Sequence, residues 1–150
     1  VVLELGGNDG LRGFPPQRTR ENLDKIITTS KAAGAAVVLL GIRIPSTYGP
    51  RYTQAFENGF RETAETHDVL WIEFFMDGIA LYEELMHADG IHPNAKAHPI
   101  LLDKAWPIIR EALGPANRAH VQSILLFWAS CQAKEFNGFT RKIQAWKKSG

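Results

Sequence analysis

The sequence has a single cysteine, Cys131, among 150 residues, so no internal disulfide can form and a disulfide-stapled scaffold is excluded. Long hydrophobic runs are also missing. The longest, Gly34–Ile42, has nine residues even counting its glycines, far short of the ~20 that a membrane-spanning helix needs. Net charge is scarce: 17 Lys and Arg against 16 Asp and Glu leave +1, which excludes an all-over basic nucleic-acid binder. No Gly-Lys-Ser/Thr string occurs, so a phosphate-cradling nucleotide loop is not expected. Internal repeats and low-complexity tracts are absent. What remains is ordinary globular composition, 45% apolar and 22% charged. A chain this long can bury ~68–70% of its unfolded surface in one core.

The near-neutral total hides an asymmetry. Residues 1–113 carry 11 basic and 15 acidic side chains, a balance of −4, whereas residues 114–150 carry 6 and 1, a balance of +5. Such a split points to two parts with different partners, 1–113 and 114–150. In the second part Val121, Ile124, Leu125 and Trp128 share a helical face, and Phe136, Phe139, Ile143 and Trp146 continue that spacing among Lys134, Arg141, Lys142, Lys147 and Lys148. This pattern suits a basic amphipathic helix against an anionic surface, or a helical hairpin packed on the body. The chain opens at Val1 inside an apolar run and reads as continuing from an upstream segment, so no leader is legible.

Strand and helix patterns alternate through residues 1–113. Val1–Leu5, Ala35–Ile42 and Val69–Phe74 are expected strands, the second with the continuous apolar run of a strand buried on both faces. Pro15 and Pro16 introduce a helix to about Ala33, with Leu23, Ile26, Ile27 and Ala33 on its apolar face. Tyr52, Phe56, Phe60 and Ala64 recur every four residues along a second helix, Tyr52–Thr66. A third is expected over Asn94–Leu113, with Ile100, Leu101, Ala105, Ile108 and Ile109 on one stripe and a bend at Pro107. The alternation β-α-β-α-β-α argues for an α/β fold with a parallel sheet. His67 and His120 read as solvated.

Two loop motifs stand where α/β folds place ligands, at the C-terminal ends of strands. In Gly6-Gly7-Asn8-Asp9-Gly10, glycines permit close backbone approach and present the Asn8 amide at a strand edge. A side-chain N–H in such a place suits a developing oxyanion, although turn-forming Asn and Asp also bond their own backbone. In Asp89-Gly90-Ile91-His92-Pro93, an acid three residues before a histidine can reach its Nδ1–H. That contact fixes the tautomer and leaves Nε2 to act as a base. The same pattern occurs as a plain surface turn. A third possibility is a metal site from His87, Asp89, His92 and His98, with Glu84.

Together, GGNDG after an apolar strand and DGIHP before the last helix resemble the third and fifth blocks of the SGNH (GDSL-type) hydrolases. The strings Val2–Gly13, Gly41–Phe56 and Ala88–Pro93 are most similar to the arylesterase, thioesterase and lysophospholipase branch. The resemblance covers residues 1–113 and implies a three-layer, flavodoxin-like parallel-sheet fold, N-terminally truncated. It implies His92 as general base, Asp89 as its orienting carboxylate and Asn8 as oxyanion donor. The implied acyl site lies on the Gly10–Pro15 loop with Gly10, Leu11 and Phe14, and Ile42, Arg43, Pro45 and Tyr48 line the substrate groove. The implied substrate is a small acyl ester or thioester, cleaved without cofactor or metal, in a periplasmic or secreted setting.

The sequence departs from the family in lacking the Gly-Asp-Ser-Leu block that carries the nucleophile, and the second block with its oxyanion glycine. Of Ser30, Ser46, Ser123, Ser130 and Ser149, none sits at a strand-to-helix elbow. The chain alone is therefore expected to be inactive, because a base without a nucleophile has nothing to activate. The alternative is a non-catalytic binding module that keeps the acyl groove. The strand Val1–Leu5 is expected to be an open edge, which, like the basic tail, could mediate association.

Overall fold

The computed structural model describes residues 1–114, and the expected amphipathic helix of the tail lies outside them. The chain divides into two units, Val1–Asp77 and Gly78–Gly150. In the first, strands β1 (Val2–Leu3), β2 (Val38–Leu40) and β3 (Leu70–Ile72) form a parallel sheet in the order β1-β2-β3. Val2 pairs with Val38, and Val38 with Leu70. The ladders run shorter than the apolar strings, yet bonding continues past them, with Gly41 N–H donating to Ile72 at 2.7 Å and Phe75 N–H to Gly41 at 3.0 Å. The expected α/β class with a parallel sheet is observed.

Helices α1 (Gly7–Leu11) and α2 (Pro16–Ala32) connect β1 to β2, and α3 (Pro50–His67) connects β2 to β3. Pro16 and Pro50 each occupy the first turn, where a missing N–H costs nothing and the fixed φ favours helix entry. Leu23 and Ile27 of α2 and Phe56, Phe60 and Ala64 of α3 are buried with Leu3 and Leu39 of the sheet in one core. Phe56 and Phe60 meet edge to face at 5.3 Å. Ala33 is the exception to the expected stripe: it caps α2 and is exposed.

Polar contacts join the same two helices. The Asp24 carboxylate accepts from Thr63 Oγ1 at 3.3 Å and lies 3.0 Å from His67 Nε2, and Arg20 pairs with Glu62. His67, expected to be solvated, is instead only 18% exposed. Helical spacing places Thr63 and His67 on one side of α3, where both reach a single carboxylate of α2.

The described part of the second unit contains a 3₁₀ turn (Glu83–Leu85) and α4 (His98–Leu113). Helix α4 starts four residues later than expected, because Pro99 sits in its first turn and residues 94–97 form a turn of their own. It continues through Pro107, with Leu101, Ala105 and Leu113 buried. Ile100 is 45% exposed, since adjacent positions on a helix diverge by about 100° and Leu101 takes the inward one.

Two glycines give opposite forecasts. A Cβ at Gly41 would lie 2.1 Å from Glu73 O, a backbone atom that cannot yield without breaking the β2–β3 bonding. Gly59, inside α3, faces open space. Gly41→Ala should therefore cost at least ~1–3 kcal/mol, whereas Gly59→Ala should gain up to ~1 kcal/mol. Urea midpoints of the two variants against the parent check both signs.

Candidate active site

The first motif folds as a helix of five residues, α1, rather than the turn its glycines suggested. Local propensity does not account for it, because two of the five residues are glycine. Tertiary contacts do. A Cβ at Gly10 would lie 2.8 Å from both Ile44 and Phe56, so only glycine lets this backbone settle against the core. Thr19, itself buried, donates to the Asp9 carboxylate at 3.4 Å. Two tyrosines hold the following loop: Tyr52 Oη donates to Phe14 O at 2.6 Å and approaches Gly10 O at 3.3 Å, and Tyr48 Oη donates to Leu11 O at 2.6 Å. Burial, then nearby Tyr48 and Asp9, push the Tyr52 phenol above its ordinary pKa, which keeps it a donor.

This arrangement presents Asn8 on the exposed side of α1. Gly10 is buried, and Leu11 and Phe14 are half-buried along the loop, with Arg18 stacked over the Phe14 ring at 4.5 Å. Of the other expected lining residues, Ile42 packs against the core and Pro45 is exposed ahead of a 3₁₀ turn (Ser46–Tyr48). Arg43 is engaged by Glu57 at 3.4 Å and Glu73 at 2.9 Å and lies over Phe74, so its charge is already balanced by this chain. Tyr48 lines an open apolar groove of about 410 Å³ with Pro16, Pro50, Tyr52 and Ala55. Tyr52 was legible only as a helix-face aromatic. Its role as a tether depends on carbonyls 38 and 42 residues away, which no local pattern reports.

The second motif brings its two residues together. His92 Nδ1 lies 2.8 Å from Asp89 Oδ2, while Asp89 Oδ1 accepts from the backbone N–H groups of Ile91 at 2.8 Å and His92 at 3.0 Å. A carboxylate only accepts, so in the neutral ring the proton belongs on Nδ1 and the lone pair on Nε2. Nε2 has no hydrogen bond among the described residues, and the ring is 70% exposed. The backbone N–H of His92, then its ring and the N–H of Ile91, hold Asp89 well below the usual carboxylate range. Among the described residues no three His, Cys, Asp or Glu side chains gather as a metal site, so His87, His98 and Glu84 do not join Asp89 and His92 in one. Asp89 and His92 belong to the second unit, and Asn8 with the groove residues to the first.

Residues 1–100 match the GDSL-like Lipase/Acylhydrolase family. The chain belongs to that family. It is 43% identical over 113 residues to "Esterase TesA" of Pseudomonas aeruginosa, covering 75% of this chain and 56% of that protein. It is 47% identical over 103 residues to "Thioesterase 1/protease 1/lysophospholipase L1" of Escherichia coli, covering 69% and 50%. The chain thus spans about half the length of these relatives. Among solved structures, that of TesA superposes with a TM-score of 0.69 at 43% identity, covering 77% of this chain and 62% of the other. The psychrotrophic esterase EstA from Pseudoalteromonas, inhibited by monoethylphosphonate, gives 0.70 at 42% identity, covering 75% and 62%. This GDSL-family chain therefore has the SGNH hydrolase fold over its matched part.

The lowered Asp89 pKa has a pH signature. A carboxylate depressed on folding stabilises the loop fully above its unfolded pKa, and that contribution is lost only as pH falls through the folded value. Asp89 should titrate below the ordinary ~3.9 in ¹³C NMR of the side-chain carboxyls. Replacing His92 by Ala should bring its midpoint back toward the ordinary value. A parent midpoint at or above the ordinary value would contradict the geometry.

Proposed function

We propose that this chain supplies the base, the orienting carboxylate and an oxyanion donor of a serine ester hydrolase acting on small acyl esters or thioesters. The observation that carries the reading is the Asp89–His92 pair, 2.8 Å apart, with no hydrogen bond to Nε2 among the described residues. Nε2 would take the proton of an attacking serine hydroxyl as its Oγ bonds to the acyl carbon. Asn8 would donate its amide N–H to the resulting oxyanion. The imidazolium would then protonate the departing alcohol or thiol, leaving an acyl-serine that water resolves by the same steps. Names of relatives that include esterase, thioesterase and lysophospholipase support this substrate class. A periplasmic or secreted setting belongs to the same proposal. No described helix is long and apolar enough to cross a membrane.

The serine is the missing part. No Gly-Asp-Ser occurs in the sequence, and the two described serines, Ser30 in α2 and Ser46 in a 3₁₀ turn, occupy no strand-to-helix elbow. A second reading, a module that keeps an acyl groove without hydrolysis, fits these residues equally well.

One experiment separates the readings. The 150-residue chain and a fusion carrying the family's Gly-Asp-Ser-Leu segment ahead of Val1 are assayed with p-nitrophenyl butyrate. The chain alone should show no turnover above its His92→Asn variant, and the fusion should turn over substrate. In the fusion, His92→Asn should lower kcat by ~10⁴-fold or more, and Asn8→Ala by ~10²–10³-fold. An active fusion indifferent to His92→Asn would overturn the hydrolase assignment. Binding of substrate without turnover by the fusion would favour the second reading.

A further inference from the structure

Asp89 and His92 are both exposed, so packing does not hold them in place. Their geometry rests on the loop that carries them. That loop closes on a single antiparallel bridge, Met86 opposite Pro93. His87 N–H donates to His92 O at 2.8 Å and Asn94 N–H to Leu85 O at 2.8 Å, so Met86 and Pro93 form the non-hydrogen-bonded pair between them. Pro93 thus loses no ladder bond, but Met86 O is left without a partner from the opposing backbone.

The side chain of Asn94 fills that gap. Its Nδ2 donates to Met86 O at 3.0 Å and to Glu84 O at 2.9 Å, using both amide protons on the entering leg of the loop. Its Oδ1 accepts from Lys96 N–H at 2.9 Å, which turns the chain toward α4. The donor and acceptor ends of the amide are each matched, so the reversed orientation would set oxygen against two carbonyls. One bridge and two backbone bonds make a weak closure, and this half-buried amide doubles the number of bonds across it.

We infer that Asn94 is a positioning residue for the Asp89–His92 pair, tying together the two legs of their loop through its side-chain amide. The inference rests on the hydrolase reading for its catalytic meaning, but its geometric content stands apart from it. Aspartate at this position keeps the acceptor for Lys96 and removes both donors. Alanine removes all three bonds. With the closure loosened, the Asp89 carboxylate and the His92 ring no longer share a fixed distance. The Nδ1–H tautomer then loses its preference.

The test uses ¹⁵N-labelled full-length chain and long-range ¹H–¹⁵N spectra, which report the proton's position on each imidazole. Asn94→Asp and Asn94→Ala should both shift His92 away from the Nδ1–H form. His67, in the first unit beside Asp24, should keep its parent signature and show that each variant is folded. In the active fusion, Asn94→Asp should lower kcat by at least ~10-fold, with KM changed less than about twofold, as expected when orientation rather than binding is lost. A His92 tautomer unchanged in either variant would overturn the inference. So would equal changes at His67, which would mark a general structural role. A shifted tautomer with no effect on kcat would leave the positioning intact and count instead against His92 as the base.

Discussion

The central strand β2 must satisfy hydrogen bonds on both edges while both of its faces are buried, and the first unit is organised around that requirement. Val38, Leu39 and Leu40 are each less than 4% exposed, so no water is available to their backbone. Their polar groups are satisfied by a parallel strand on each side, and parallel neighbours require the two crossovers that α2 and α3 provide. Those helices then pair with each other through Asp24, Thr63 and His67, and their apolar faces close the core over Leu3 and Leu39. Gly41 extends β2 beyond its ladder at a point where the neighbouring backbone leaves no room for a side chain.

Different forces hold the two motifs in their own units. Helix α1, which carries Asn8, is set by burial: Gly10 is pressed onto Ile44 and Phe56, and two tyrosine hydroxyls hold the carbonyls of Leu11 and Phe14. The Asp89–His92 pair is exposed and is set by hydrogen bonds alone, most of them to backbone atoms within six residues. An exposed pair makes little net contribution to stability. Its value is orientation, because a carboxylate at 2.8 Å from Nδ1 fixes which nitrogen is basic.

Membership in the GDSL-like family rests on the first 100 residues and on relatives that are about twice as long as the matched stretch. The proposed base, its carboxylate and the proposed oxyanion donor all lie within this matched stretch. No Gly-Asp-Ser string is included.

By itself the sequence determined the α/β class, the three strands and two long helices of the first unit, and the Asp89–His92 contact. Each depends on short-range periodicity or on a carboxylate three residues from an imidazole. Tertiary structure decided what local spacing cannot encode. The glycine-rich turn became α1 because the core and Tyr52 hold it, against its own propensity. His67 became a partner of Asp24 instead of a solvated side chain, since α2 and α3 bring residues 43 apart within 3.0 Å. Helix α4 began at His98 rather than Asn94 because residues 94–97 form a turn of their own, at whose start the Asn94 amide binds carbonyls eight and ten residues earlier. In each case a group's hydrogen-bond partner lay beyond the reach of a single helical turn, where only the folded chain could choose it.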